Sequence, residues 1–180
     1  AFAGNMAIGA TLAGSGNHYA TAVGSAIAQQ LSSLGINLNF APSLDVNNNP
    51  ANPVINARSF GDNAAAVAQA GGAMLSAMQA AGVLGTIKHF PGHGDTHVDS
   101  HTGLPLVEHD RVKVEAVDLY PFRQLIKQHQ PAMVMTAHIQ YPALDNSSLT
   151  TKSGEAVIKP ATLSRAILTD LLREDMGFDG

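Results

Sequence analysis

Gly82-Val83-Leu84-Gly85-Thr86-Ile87-Lys88-His89-Phe90-Pro91-Gly92-His93-Gly94-Asp95-Thr96-His97-Val98-Asp99-Ser100-His101 joins an apolar run to a loop crowded with ionisable groups. The run reads as a buried strand over 83–88 that passes into a glycine-rich loop. Four of the chain's eight histidines and two aspartates fall between 88 and 101, a density that marks a seat of chemistry on a loop presented by a rigid scaffold. The histidines recur at 89, 93, 97 and 101, which on a helix would form one metal-binding face. That helix cannot form. Pro91 removes a donor and biases Phe90 away from helical backbone, and Gly92 and Gly94 each weaken a helix by about 1 kcal/mol relative to alanine. Asp99 stands two residues before His101, close enough in a turn to accept a hydrogen bond from its Nδ1, fix its tautomer and favour the imidazolium. Nε2 could then give a proton to a leaving group and later take one from water. The plainer reading has Asp99 capping a turn and His101 exposed.

Working outward, the flanking pattern alternates helix and strand. Ala20, Val23, Ile27, Leu31 and Leu34 predict a helix over 17–34, stopped by Gly35, and a strand follows over 36–41. The segment 5–10 is apolar but glycine-rich and takes no assignment. A second helix is expected over 63–81, with Asp62 as N-cap and Gly82 as stop, leading into the strand 83–88. Helical residues 111–129 are interrupted by Pro121, which should start a fresh helix or kink the existing one. A strand over 132–137 closes on His138, at the mouth, and 160–176 reads as an amphipathic helix with Ser164 and Asp170 on its polar side. The alternation predicts one α/β unit, in which the loops 42–61 and 88–110 share one end of the parallel strands and form a common pocket.

Within 42–61, rich in Pro and Asn, Arg58 is the only cation. Its planar guanidinium suits sugar hydroxyls or an acetamido carbonyl, the alternative being a surface ion pair worth under about 1 kcal/mol. Asp45 lies just past a strand end, where barrel enzymes place working groups. It also begins the turn-forming run through Asn47, Asn48, Asn49 and Pro50, and the turn role leads. Lys88 and His89 are adjacent, so only a bend at the strand end can bring both to one ligand.

At 180 residues, 45% hydrophobic and 13% charged, the chain holds enough apolar material for one domain with a real core. A whole TIM barrel needs about 250 residues, so it is a smaller α/β domain or a portion of a barrel. A net charge of −4 with scattered Lys and Arg argues against a nucleic-acid partner. No run of about 18 apolar residues predicts a membrane-spanning segment. The absence of cysteine excludes disulfides and fits cytoplasm and periplasm alike.

Lys88-His89-Phe90-Pro91-Gly92-His93-Gly94 followed by Asp99-Ser100-His101 resembles the signature loop of glycoside hydrolase family 3, in its β-N-acetylglucosaminidase branch. Asn39-Phe40-Ala41-Pro42, Asp45-Val46, Arg58-Ser59-Phe60-Gly61, Met135-Thr136-Ala137-His138 and Gly177-Phe178-Asp179-Gly180 resemble further family segments, in the family's order. The resemblance implies a portion of a TIM-type (β/α) barrel, with residues 1–180 an interior part of one catalytic domain. It implies a retaining exo-glycosidase acting on terminal β-linked N-acetylglucosamine, including cell-wall muropeptides, and requiring no cofactor or metal. His101 would be the acid/base and Asp99 its orienting partner, with Arg58, Lys88 and His89 binding the sugar. His93 and His97 match no catalytic position, and His97 is expected in solvent. The family's nucleophilic aspartate follows the Gly-Phe-Asp-Gly turn and one further strand, beyond residue 180. Two other classes stay open from the residues: a metal-dependent hydrolase using His89, His93, Asp95 or Asp99, and His138, and a carbohydrate-binding domain without catalysis.

Overall fold

The computed structural model describes residues 2–98 and 103–180. Strands β1 (Leu38–Asn39), β2 (Leu84–Phe90) and β3 (Met133–Thr136) form one parallel sheet in that order, with helices in every crossover between them. The expected α/β alternation is therefore present. Leu38 pairs with Leu84, and Thr86 with Met133 through Lys88 with Met135; the register then shifts between Lys88 and Phe90. The ladder thus breaks at the half-buried Lys88 and His89, before Phe90 returns to the core. The Lys88–His89, Ala41–Pro42 and Phe90–Pro91 peptides are cis.

Helices α1 (Asn5–Gly9), α2 (Leu12–Ser15) and α3 (His18–Ser33) precede the sheet, and α4 (Ala64–Ala80) links β1 to β2. Its alanines and glycines let it lie close to the sheet, and Val67, Met74, Leu75 and Met78 are buried there. The crossover from β2 to β3 runs through α5 (Arg111–Lys113), a π-helical turn (Val114–Asp118) and α6 (Tyr120–His129). Phe122 of α6 meets Phe90 edge-on at 5.3 Å, both fully buried, a pairing worth about 1 kcal/mol beyond the area it covers. Pro121 sits in the first turn of α6, where its missing N–H costs nothing, so it starts a helix as expected.

Several local expectations are corrected. The cap of α4 is Asn63, not Asp62: Asn63 has extended backbone and its Oδ1 accepts from Ala66 N at 3.0 Å. The continuous helix over 160–176 is instead a 3₁₀ turn (Ala161–Leu163) and a π-helix (Ala166–Asp175). Ser164 separates them in extended conformation; its hydroxyl donates to Asp145 Oδ2 at 2.5 Å and accepts from Ile167 N at 3.2 Å. Ser164 is thus buried and acts as a cap, while Asp170 is on the exposed side as read. The strand over 36–41 shrinks to β1, although Thr86 N still donates to Ala41 O at 2.9 Å. Helix α1 and an antiparallel hairpin, β4 (Ser148–Thr150) with β5 (Ala156–Ile158), are additional. Among the described residues no helix is long and apolar enough to cross a membrane.

Candidate active site

The segments that follow β1 and β2 meet beyond the C-terminal ends of the parallel strands, and Asp45 is their hub. Its carboxylate is fully buried. Oδ2 accepts from Ser43 Oγ and His89 Nδ1, each at 2.7 Å, and Oδ1 accepts from the backbone N–H groups of His89 (3.1 Å) and His93 (2.8 Å). Burial works against the charge, but the hydrogen bond and charge of His89 and the Ser43 hydroxyl outweigh it, lowering the Asp45 pKa from 3.8 to about 2. Because an ionised carboxylate only accepts, His89 Nδ1 carries hydrogen and Nε2 faces outward. The turn-building reading of Asp45 is thereby enlarged: it builds the loop and also sets the tautomer of a site histidine.

The two loops are tied by amides. Asn52 Nδ2 donates to His93 O (2.8 Å), Gly94 O (3.1 Å) and Thr96 Oγ1 (3.3 Å), and Asn49 Nδ2 to Thr96 O (3.4 Å). A side chain at Gly94 would place its Cβ 1.8 Å from Val46 O, so only glycine permits this approach. Such contacts span more than forty residues of sequence, which is why the ties of Asn49 and Asn52 to the loop of His93 escaped the reading of single segments. The short Gly92-His93-Gly94 turn was the one local hint of a close backbone approach.

Arg58, at the end of a 3₁₀ turn (Asn56–Arg58), stands between Lys88 and His89. Its Nη2 is 3.4 Å from His89 Nε2, and its Nη1 donates to Val54 O at 3.2 Å. On one side Arg58 and Lys88 line a hollow of about 380 Å³ with Asn5, Phe40 and Ser43. On the other, Arg58, His89, His93 and His138 line a pocket of about 180 Å³ with Met135 and Ala137. Burial and the neighbouring Arg58 charge lower the Lys88 pKa, against the pull of Asp45. Lys88 thus shares one hollow with Arg58, and His89 shares the other. Among the described residues neither lining includes a carboxylate. His138 is exposed, its Nδ1 held by Thr162 Oγ1 at 2.5 Å. His97 is exposed, with Nδ1 3.3 Å from Asn49 Nδ2, and His93 is buried with Nδ1 2.6 Å from Thr96 Oγ1.

The expected acid/base pair, Asp99 and His101, lies outside the described residues. Among the described residues no three His, Asp or Glu side chains are grouped as metal ligands. A larger hollow of about 650 Å³ lies between α3, α4 and α6, but among the described residues its lining is alanine, Leu125 and neutral polar side chains with the single histidine His129, so it offers no acid/base pair.

The whole chain, residues 1–180, matches the glycosyl hydrolase family 3 N-terminal domain. It is 60% identical over 179 residues to Beta-hexosaminidase A of Pseudoalteromonas piscicida, covering 99% of this chain and 30% of that protein. Its structure resembles a glycoside hydrolase family 3 β-N-acetylglucosaminidase from Paenibacillus sp. str. FPU-7, with a TM-score of 0.88 and 45% identity, over 98% of this chain and 31% of that one. It also resembles native NagZ from Neisseria gonorrhoeae, with a TM-score of 0.85 and 36% identity, over 98% and 48% of the respective chains. The chain thus spans less than half the length of each of these relatives.

Proposed function

The chain belongs to glycosyl hydrolase family 3 through its N-terminal domain, and on that premise we propose that the protein is a retaining exo-glycosidase releasing terminal β-linked N-acetylglucosamine. The observation that carries this reading is that Arg58, at one end of the parallel strands, shares one hollow with Lys88 and an adjoining one with His89, whose tautomer is set by Asp45.

Those three side chains present fixed donors to a neutral, oxygen-rich ligand. The guanidinium of Arg58 offers several N–H groups to hydroxyls or an acetamido carbonyl, Lys88 an ammonium, and His89 Nε2 an acceptor, or a donor when protonated. Held in this way, the sugar has its anomeric carbon positioned for attack. His101 protonates the departing glycosidic oxygen and then, once neutral, activates water, with Asp99 orienting it; an imidazole here replaces the usual carboxylic acid. The nucleophile is a carboxylate on the opposite face of the sugar. Asp45 is unsuited to that role because it is buried and engaged by His89 and His93, and Asp175 is held by Arg123 at 2.6 Å. We take muropeptides released during cell-wall recycling as natural substrates.

Incubating the intact protein with 4-nitrophenyl N-acetyl-β-glucosaminide and with the matching β-glucoside, in buffer with and without chelator, tests the reading. The expected result is turnover of the N-acetyl substrate with retention at the anomeric carbon, unchanged by chelator. Loss of activity in chelator, or sugar binding without turnover, would overturn it.

A further inference from the structure

A second ionisable cluster lies under the loop that carries His93 and takes no part in the sugar contacts. His109, 8% exposed, precedes α5. Its Nδ1 is 2.8 Å from Asp118 Oδ2, on the π-helical turn, and its Nε2 meets Asp95 Oδ2, on the loop after β2. One imidazole therefore links the loop to the crossover. Both carboxylates can only accept when ionised, so both ring nitrogens must carry hydrogen, and only the imidazolium does. Lys113 approaches Asp95 at 3.9 Å, and buried Tyr141 neighbours Asp118 while its hydroxyl donates to Gly92 O at 2.7 Å. Gly92 sits directly on this group: with φ of 144°, a Cβ there would stand 3.0 Å from Asp118 Cβ and from the Tyr141 hydroxyl.

We propose that His109 is a positioning residue: gripped between Asp95 and Asp118, it seats the loop 91–97 and so fixes the wall that His93 gives to the pocket shared with Arg58 and His89. The role in substrate binding rests on the sugar-site reading above. From the opposite side the loop is held by Asp45, Asn49 and Asn52, whose bonds do not change charge near neutrality. The bridge through His109 does, as do the ring contacts of His93 with Thr96 and of His97 with Asn49, but those two rings belong to the loop itself. The hydrogen bond that His109 donates to Asp118, with the charges of Asp118 and Asp95, raises the His109 pKa above 6.5 against burial and Lys113. Burial raises Asp118 in turn, and the imidazolium opposes that rise. The bridge is therefore complete where His109 is protonated and both carboxylates are ionised, and it opens as pH rises through the raised value.

The test compares the intact wild type with His109→Gln and His109→Arg. Gln lacks the charge and the second donor direction, so KM for the aryl N-acetylglucosaminide should rise by about tenfold with a smaller change in kcat, the loss of roughly one charge-assisted hydrogen bond. Arg keeps a permanent cation with donors for both carboxylates and should restore KM. The wild type's rise in KM at alkaline pH should be smaller in the Arg variant, in which Lys88 still titrates. Amide hydrogen exchange in 92–96 should be faster in the Gln variant and near wild type in the Arg variant. Equal impairment of Gln and Arg, or unchanged KM and exchange in Gln, would overturn the proposal. If Gln does not fold, nitrogen-15 shifts of wild-type His109 decide it: an imidazolium at pH 7 supports the bridge and a neutral ring refutes it. A wild type that turns over no N-acetylglucosaminide overturns the substrate reading alone, and the exchange and nitrogen-15 results then decide whether His109 seats the loop.

Discussion

Asp45 shows what a single residue contributes and what its sequence neighbours conceal. Arg58, Lys88 and His89 were singled out because they stand in runs that resemble family segments, and Arg58 shares one hollow with Lys88 and another with His89. The partnership of Asp45 with His89 was not legible, since it joins residues 44 positions apart and depends on two loops folding over the strand ends. Its energetic consequence can be worked out. The folded pKa of about 2 lies below the ordinary 3.8, so the stability Asp45 contributes is present above about pH 4 and is lost as pH falls through about 2. A lowering of this size is worth about 2 kcal/mol. Asp45→Asn should therefore lower the unfolding free energy at pH 7 by about that much, and the gap to wild type should narrow toward pH 2. Denaturant titrations at pH 7 and pH 3 check this; a gap that is the same at both pH values would show that the charge of Asp45 contributes nothing.

At the scale of elements, long apolar and periodic segments were read well and short irregular ones were not. The strand expected over 83–88 is β2, and α3, α4 and β3 fall within a residue or two of their expected limits. The helix expected over 160–176 failed because apolar spacing does not reveal that Ser164 is buried and spends its hydroxyl on Asp145 and Ile167 N, ending one turn and starting another. The hairpin of β4 and β5 offered runs of only three residues, too short for a periodic signal. The loop after β2 was located correctly, but its seat against residues 45–52 depends on an absent side chain. Gly94→Ala would force a Cβ against the Val46 carbonyl, and backbone cannot yield as a side-chain tip can. The loop should lift, costing about 1 to 3 kcal/mol of stability and raising KM through His93. A variant with wild-type denaturation midpoint and KM would show that the close approach has no role.

Across the whole molecule, the parallel sheet β1-β2-β3 with its helical crossovers is a portion of a TIM-type barrel, the fold class implied by the sequence and shared with the family 3 β-N-acetylglucosaminidase from Paenibacillus. Site residues come from the ends of successive strands: Asp45 and Arg58 after β1, His89 and His93 at and after β2, His138 after β3. This is how a barrel gathers one constellation from distant segments. It also explains why the pocket was legible as a place while its internal bonds were not: the fold repeats, but each loop is particular. The central claim is that this pocket serves glycoside cleavage assisted by a histidine acid. The direct measurement is kcat/KM of the intact wild type and of His101→Ala over β-N-acetylglucosaminides whose leaving groups run from acidic phenols to an unactivated sugar alcohol. General acid catalysis is worth on the order of 10² to 10⁴, and it is needed only where the departing oxygen is basic. The predicted result is a loss within a few-fold for the most acidic phenols that grows toward that range for the sugar alcohol; an equal loss across the series would contradict the assignment of His101 as the acid.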